Sequence, residues 1–217
     1  MNDEFIVKAT PVIRRPACIA SGRKQDCFNC ELFRQRTCDS PRSKCALPYP
    51  LHTKGCPNYG KRKDCPPIIG MLDDYFEVTK PMYIIFYKFP LLEHMQKMKA
   101  KHPEWTERQL RNCLYWQGTS RKRLKDNIAH FLKEYGSAYA VTRSPEAMGV
   151  DVSATLAEAG IHLEWPPVNY SYKIALAGIL KNGALFDDNI FEGCIDKLIT
   201  PHHATSTGKN ACATLGT

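Results

Sequence analysis

Thiols are the residues of this sequence with the clearest chemical potential, and most of them lie near its beginning. Ten cysteines occur among 217 residues. Seven of them precede residue 66: Cys18, Cys27, Cys30, Cys38, Cys45, Cys56 and Cys65. Thiolates bind zinc and iron–sulfur clusters, and thiols pair as disulfides in oxidising compartments. Seven thiols could form three disulfides and would leave one unpaired, so the odd count favours metal binding.

The redox compartment decides between metal and disulfides. Residues 1–5 show no basic segment followed by an apolar one, so nothing there predicts secretion. No apolar run approaches the roughly 18 residues that span a bilayer, and the longest covers residues 174–180. We therefore expect a soluble, cytoplasmic protein without a membrane partner. In that reducing environment, clustered cysteines bind metal more often than they form disulfides.

Residues 56–67, CPNYGKRKDCPP, have the composition of a metal-binding loop. Cys56 and Cys65 enclose Gly60, which tolerates a positive φ and lets backbone N–H groups approach a bound centre. Pro66 and Pro67 donate no hydrogen bond and restrict φ, so the chain is predicted to leave Cys65 extended and in a defined direction.

The seven early thiols divide into a group of four and a group of three. The first group predicts a closed site around a Cys-x-x-Cys pair: Cys18, Cys27, Cys30 and Cys38. The second predicts a site with three protein ligands: Cys45, Cys56 and Cys65. Three ligands leave one iron of a cubane free to bind a small molecule, whereas a fourth ligand, from Cys194 or a histidine, would favour electron transfer or structure. Cys113 is predicted to pack in the core on a helix, and Cys212 to be free.

Zinc remains an alternative to an iron–sulfur cluster, because it accepts the same four-thiolate sets at similar spacings. A zinc-stabilised module would suit nucleic acid or a protein partner. The net charge of +8 is compatible with nucleic acid, an anionic cofactor or an acidic redox partner, although a solvated basic face explains it equally well. The basic residues cluster in Arg14-Arg15, in Lys61-Arg62-Lys63, and in Arg121-Lys122-Arg123 with Lys125.

Periodicity is nearly absent from residues 18–67 and ordinary beyond them. The early segment cannot bury enough apolar surface to order itself, and a bound metal would supply the missing energy. Later residues predict an α/β (α+β) protein with one mixed sheet and packed helices. The expected strands are 5–10, 82–87, 137–142, 161–165 and 172–180; the expected helices are 68–78, 104–116, one from Thr119 or Ser120 to Gly136, and one from Ser144 to Gly160. The predicted organisation is a cysteine-rich, irregular metal-binding lobe (1–67), an α/β core (68–181) and a C-terminal segment with a mobile tail (182–217).

Two motifs resemble those of a cysteine-rich family of predicted metal-binding proteins from archaea and anaerobic bacteria. The first is CPNYGKRKDCPP, and the second is RSPEAMGVDV at residues 143–152, followed by Ala159-Gly160. The resemblance covers roughly residues 45–180 and implies a bound metal, an iron–sulfur cluster above all, without implying a reaction. It also marks Glu146 and Asp151 as candidates for a proton donor or a partner of a metal ligand, although both suit helix caps. The family's second cysteine group is missing after residue 141, and Cys27, Cys30 and Cys38 resemble it in spacing.

Together these observations predict an iron–sulfur protein with one or two 4Fe–4S clusters. Its function would be electron transfer with a redox partner protein, or cluster-based chemistry on a small molecule of the oxidoreductase or lyase type. The sequence contains no Gly-x-Gly-x-x-Gly, Walker-type or Gly-x-Ser-x-Gly motif and no Cys-x3-Cys-x2-Cys. We therefore expect neither nucleotide hydrolysis nor radical S-adenosylmethionine chemistry.

Overall fold

The computed structural model describes residues 5–8, 41–45, 55–136, 138–164, 166–184 and 190–192. Four of the cysteines fall within these ranges: Cys45, Cys56, Cys65 and Cys113. The other six lie outside the described residues: Cys18, Cys27, Cys30, Cys38, Cys194 and Cys212. The predicted four-thiol site therefore lies entirely outside them.

A five-stranded sheet forms the centre of the described structure. Its strands are β1 (Ile6–Lys8), β2 (Tyr83–Pro90), β3 (Tyr139–Thr142), β4 (Tyr170–Ile179) and β5 (Phe191–Glu192), in the order β1-β2-β4-β3-β5. All pairings within this sheet are antiparallel. The α+β class is confirmed, and the sheet is antiparallel where a mixed one was predicted. The reason is that β4 pairs between β2 and β3, which run in the same direction but are not neighbours, as in a split β–α–β unit.

Both faces of the sheet are buried, which explains the continuous apolar run in β2. Ile84 pairs with Leu176, and both contribute to the core on one face. Ile85 pairs with Ala175, and both pack on the opposite face. A strand covered on both faces has no polar alternation, so its sequence is apolar throughout.

Six α-helices lie within the described residues: α1 (Pro41–Lys44), α2 (Leu72–Tyr75), α3 (Leu91–Lys101), α4 (Glu107–Leu110), α5 (Gln117–Tyr135) and α6 (Val152–Glu158). Two 3-10 turns, Cys113–Tyr115 and Pro145–Met148, precede α5 and α6. No helix in the described ranges combines the length and apolarity needed to cross a bilayer.

Helix α5 covers one face of the sheet with the predicted apolar stripe. Leu124, Ile128 and Phe131 are buried. Gly136, with φ of 90°, ends the helix as predicted. The helix begins earlier than expected, at Gln117, because Ser120 is buried within its first turns and its hydroxyl donates to the Trp116 carbonyl at 3.2 Å.

Some local predictions are wrong, and one helix was not predicted. Residues 104–116 form two short turns of helix instead of one, because Asn112 leaves the helical conformation and its side-chain oxygen caps the 3-10 turn that follows. The long helix α3 was not anticipated, since its first residue, Leu91, is its one buried side chain. Residues 161–164 are not a strand, although Ile161 and Leu163 do pack against the core.

Candidate metal centre

The loop that carries Cys56 and Cys65, residues 55–67, is folded by its own backbone; we call it the thiol loop. Gly60 has φ of 68° and donates its N–H to the Pro66 carbonyl at 2.9 Å, which closes the loop across its middle. The chain does not leave Cys65 extended as predicted. It turns instead, and the Ile69 N–H donates to the Cys65 carbonyl at 3.1 Å because Ile69 enters the core, where it is 1% exposed.

Cys45 joins the thiol loop through the backbone. The Cys56 N–H donates to the Cys45 carbonyl at 2.8 Å, which ties the end of α1 to the start of the loop. Cys45 follows directly after helix α1, and that helix is anchored by a buried arginine. Arg42 is 6% exposed and donates to the Ile69 carbonyl at 2.8 Å and to Met71 Sδ at 2.9 Å. The burial of Arg42 was not predicted, since a lone arginine beside a proline carries no signal of burial in the sequence.

The three thiols line one cavity of about 670 Å³. The loop and the 3-10 turn before α6 contribute Asp64, Ser144 and Glu146 to its wall. The start of β4 contributes Tyr170 and Tyr172. This volume is in the range of small-molecule sites, and its wall combines apolar surface with a few polar groups, as such sites do.

The electrostatics of the thiols reflects their proximity. The pKa of Cys45 is raised to about 11, chiefly by burial and then by the charges of Cys56, Cys65 and Glu146, against a lowering by Arg42. Burial also raises the pKa of Cys65, with a contribution from the charge of Asp64. Without a cation in the cavity, these two thiols stay protonated at neutral pH.

Asp64 connects the thiol loop to the turn before α6. It makes a bidentate pair with Arg62, at 2.8 and 3.0 Å, and accepts a hydrogen bond from Ser144 Oγ at 3.3 Å. Cys65 Sγ lies 3.9 Å from its other oxygen. This role of Asp64 was not predicted. Its position directly after Lys61-Arg62-Lys63 and directly before Cys65 could have indicated a carboxylate that contacts both a cation and a thiol.

Glu146 and Asp151 play different parts. Asp151 caps α6, and its carboxylate accepts from the Ala154 N–H at 3.0 Å, as the capping interpretation predicts. Glu146 lies in the cavity wall, open to solvent from the cavity yet surrounded by protein atoms. Burial raises its pKa, and its own backbone N–H and the charge of Lys173 oppose that rise.

The predicted ligands are brought together but do not form a coordination shell. In the part of the chain that the structure describes, no group of three or more Cys, His, Asp or Glu side chains is arranged to hold a metal ion. Cys45, Cys56 and Cys65 are free, half-buried thiols. Cys113 is also free but exposed, so the prediction that it packs in the core is wrong: it falls in the 3-10 turn at the surface instead of on a helix.

No protein-family model matches this chain, and no curated protein or solved structure is significantly similar to it. The resemblance to the family of predicted metal-binding proteins therefore stays a prediction, supported by residues 56–67 and 143–152 alone.

Proposed function

We propose that this protein binds an iron–sulfur cluster through Cys45, Cys56 and Cys65 and uses it for electron transfer or for chemistry on a small molecule. One observation carries the proposal: three thiols from two separate segments line a single cavity, and a backbone hydrogen bond between Cys45 and Cys56 joins those segments. A cluster bound there would accept or donate single electrons, and an iron without a protein ligand could act as a Lewis acid.

The donor set fits a cationic centre. The charges of Cys56 and Cys65 raise the pKa of Cys45, so its thiolate is unfavourable beside theirs, and metal ions remove that cost because they bind the deprotonated form. The cavity leaves room beside the thiols for a small molecule, with Ser144, Glu146 and Tyr170 in its wall. These side chains would hold and orient that molecule. If the centre serves electron transfer instead, a redox partner protein would bind near it in place of the small molecule.

The proposal extends to parts of the chain outside the described residues. A second centre on Cys18, Cys27, Cys30 and Cys38, and a fourth ligand from Cys194, remain part of the proposal. A cytoplasmic location belongs to it as well, because free thiols and oxygen-sensitive clusters persist in a reducing compartment.

Metal analysis of protein purified without oxygen tests the proposal. We expect iron and acid-labile sulfide in the protein, with a broad absorbance near about 400 nm. The variants Cys45→Ser, Cys56→Ser and Cys65→Ser should each lose iron, whereas Cys113→Ser, which changes an exposed thiol in the surface 3-10 turn, should keep it. Colourless protein with stoichiometric zinc would overturn the redox function and leave a zinc-stabilised binding module. Metal retained equally by all four variants would overturn the assignment of the ligands.

A further inference from the structure

A column of aromatic rings stands at the surface between α3 and α5. The rings of His102 and Trp105 are stacked, with centroids 4.2 Å apart and planes 10° apart. Tyr115 continues the column, with its centroid 4.9 Å from that of Trp105 and an interplanar angle of 30°. His102, Trp105 and Tyr115 thus form a stack of three rings, and we call this set the ring column.

The ring column is not part of the hydrophobic core. Tyr115 is 51% exposed, and the neighbouring Leu114 is 80% exposed, whereas the core in this region takes Leu110 and Trp116 instead. A contiguous patch of large apolar side chains at the surface marks an interaction site.

The column is held in place by polar contacts. The Lys99 ammonium donates to the carbonyls of Pro103 and Trp105 at 2.6 and 2.9 Å. Thr106 and Gln109 cap the start of α4 reciprocally, with the Thr106 N–H donating to Gln109 Oε1 at 2.8 Å. Because these contacts fix the backbone around Trp105, a ligand that stacks on the column loses little conformational entropy of the protein.

Positive charge is concentrated in the segment of the chain that carries these rings. Residues 99–126 contain eight lysines and arginines and three acidic residues, a net charge of +5 out of +8 for the whole chain. Glu107, one of the three acids, is already paired with Arg111 at 2.9 Å. Exposed basic side chains flank Tyr115 in sequence: Arg108 precedes it by seven residues, and Arg121, Lys122 and Arg123 follow it by six to eight residues, on the first turns of α5. With a rise of 1.5 Å per helical residue, Arg121, Lys122 and Arg123 lie about 6–9 Å along α5 from its first residue, Gln117.

We propose that the ring column and these basic side chains bind single-stranded nucleic acid. A base would stack on Tyr115, which ends the column, is 51% exposed and is supported by Trp105, and the phosphates would contact Arg121, Lys122 and Arg123. Exposed aromatic rings beside arginines and lysines are the general means of holding unpaired bases without reading their sequence. An anionic membrane would also attract the charge, but membrane binding scales with inserted apolar area, and the column offers stacked ring faces with one well-exposed aliphatic side chain, Leu114.

The segment that carries the rings has one contact with the wall of the cavity. Arg111, which follows α4, donates to the Pro167 carbonyl at 2.7 Å, and Pro167 lines the cavity. The proposal does not depend on the metal, because none of its residues is a proposed ligand.

Fluorescence anisotropy of a labelled oligouridine of about 12 nucleotides, titrated with the full chain, tests this site. Removing the ring should weaken binding by roughly tenfold in Trp105→Leu or Tyr115→Leu, whereas Trp105→Phe and Tyr115→Phe should bind nearly as the parent does. The double variant Arg121→Gln/Lys122→Gln should lower the slope of log K against log salt by about 1.4. Lys80→Gln, which removes an exposed charge elsewhere, should leave that slope unchanged.

Three outcomes would overturn the proposal. Equal losses in the leucine and phenylalanine variants would exclude stacking. Binding to phosphatidylserine vesicles without binding to oligouridine would assign the surface to a membrane. Absence of binding to either ligand at low salt, with circular dichroism showing a folded chain, would assign it to neither.

Discussion

Side chains of the sheet exclude water almost completely, whereas those of the thiol loop do not. Ile84, Ile85 and Leu176 are at most 1% exposed. In the thiol loop, Cys56 and Cys65 are half-buried, and the positions between them are mostly exposed. The sheet is therefore stabilised by apolar burial, while the loop is shaped by backbone turns, the Asp64 contacts and the anchor at Arg42.

Because of this difference, the stability of the sheet and that of the thiol loop should respond differently to pH and to metal. Apolar burial in the sheet is insensitive to the charge state of any one group. The thiol loop and the adjoining Cys45 carry thiols whose pKa values shift on folding, so the stability of this region depends on pH and, in our proposal, on metal. The core should thus fold without metal, and the loop should be the part that responds to its removal.

The largest effect is expected from Phe131→Ala. Phe131 is fully buried on α5 and packs against Tyr83 and Tyr135 with ring centroids 5.4 and 4.5 Å away. The cavity left behind should lower the free energy of unfolding by about 3–5 kcal/mol, as measured by urea denaturation. Leu114→Ala, at an exposed position, should cost less than about 0.5 kcal/mol. Similar costs for the two variants would mean that α5 does not cover the core as described.

Arg42→Met should have a smaller and more local effect. It removes the donor to the Ile69 carbonyl, and leaving such a group unsatisfied costs about 1–3 kcal/mol. We expect Cys45 and Cys56 to react faster with iodoacetamide, followed by mass spectrometry, while thermal unfolding of the sheet changes little. Lys44→Met changes the neighbouring exposed cation and serves as the control. A large fall in the melting temperature of the sheet would show that the anchor belongs to the core.

The two regions also differ in how far the sequence predicts them. Residues 82–87 and the stripe through Leu124 and Ile128 carry their own periodicity, so strand β2 and helix α5 are predictable from local pattern. The strand order is not, because β4 reaches its place between β2 and β3 through long-range pairing.

The cysteines that line the cavity could be predicted from the sequence, whereas the contacts that hold them in place could not. The thiol chemistry and the spacing of Cys45, Cys56 and Cys65 single them out in the sequence, and all three line the cavity. The burial of Arg42 and the contact between Asp64 and Ser144 depend on segments far apart in sequence, so no local pattern encodes them. The cavity itself is likewise a product of the assembled fold.

The pH dependence of stability should distinguish the loop from the sheet in metal-free protein. The pKa of Cys45 is raised from its ordinary value near 9 to about 11, so the folded state retains a proton that the unfolded state loses. Its contribution to stability is therefore complete below pH 9 and is lost as the pH rises towards 11. Urea denaturation across this range should show a decline that is smaller in Cys45→Ser. Cys113→Ser should decline as the parent protein does. A decline reduced as much as in Cys45→Ser would assign the effect to thiols in general.

The smallest effect on stability is expected from Asp64→Asn. The Arg62 partner is 59% exposed, so loss of the ion pair should cost less than about 1 kcal/mol. Its effect on chemistry should be larger, because after burial the charge of Asp64 is the next cause of the raised pKa of Cys65. Removing that charge lowers this pKa, so alkylation of Cys65 at pH 8 should become severalfold faster, as peptide mapping can measure. Asp126→Asn, on the exposed side of α5, should leave the rate unchanged. A slower reaction in Asp64→Asn would mean that the carboxylate acts as a base towards the thiol, and the thiol loop would then be prepared for nucleophilic chemistry even without metal.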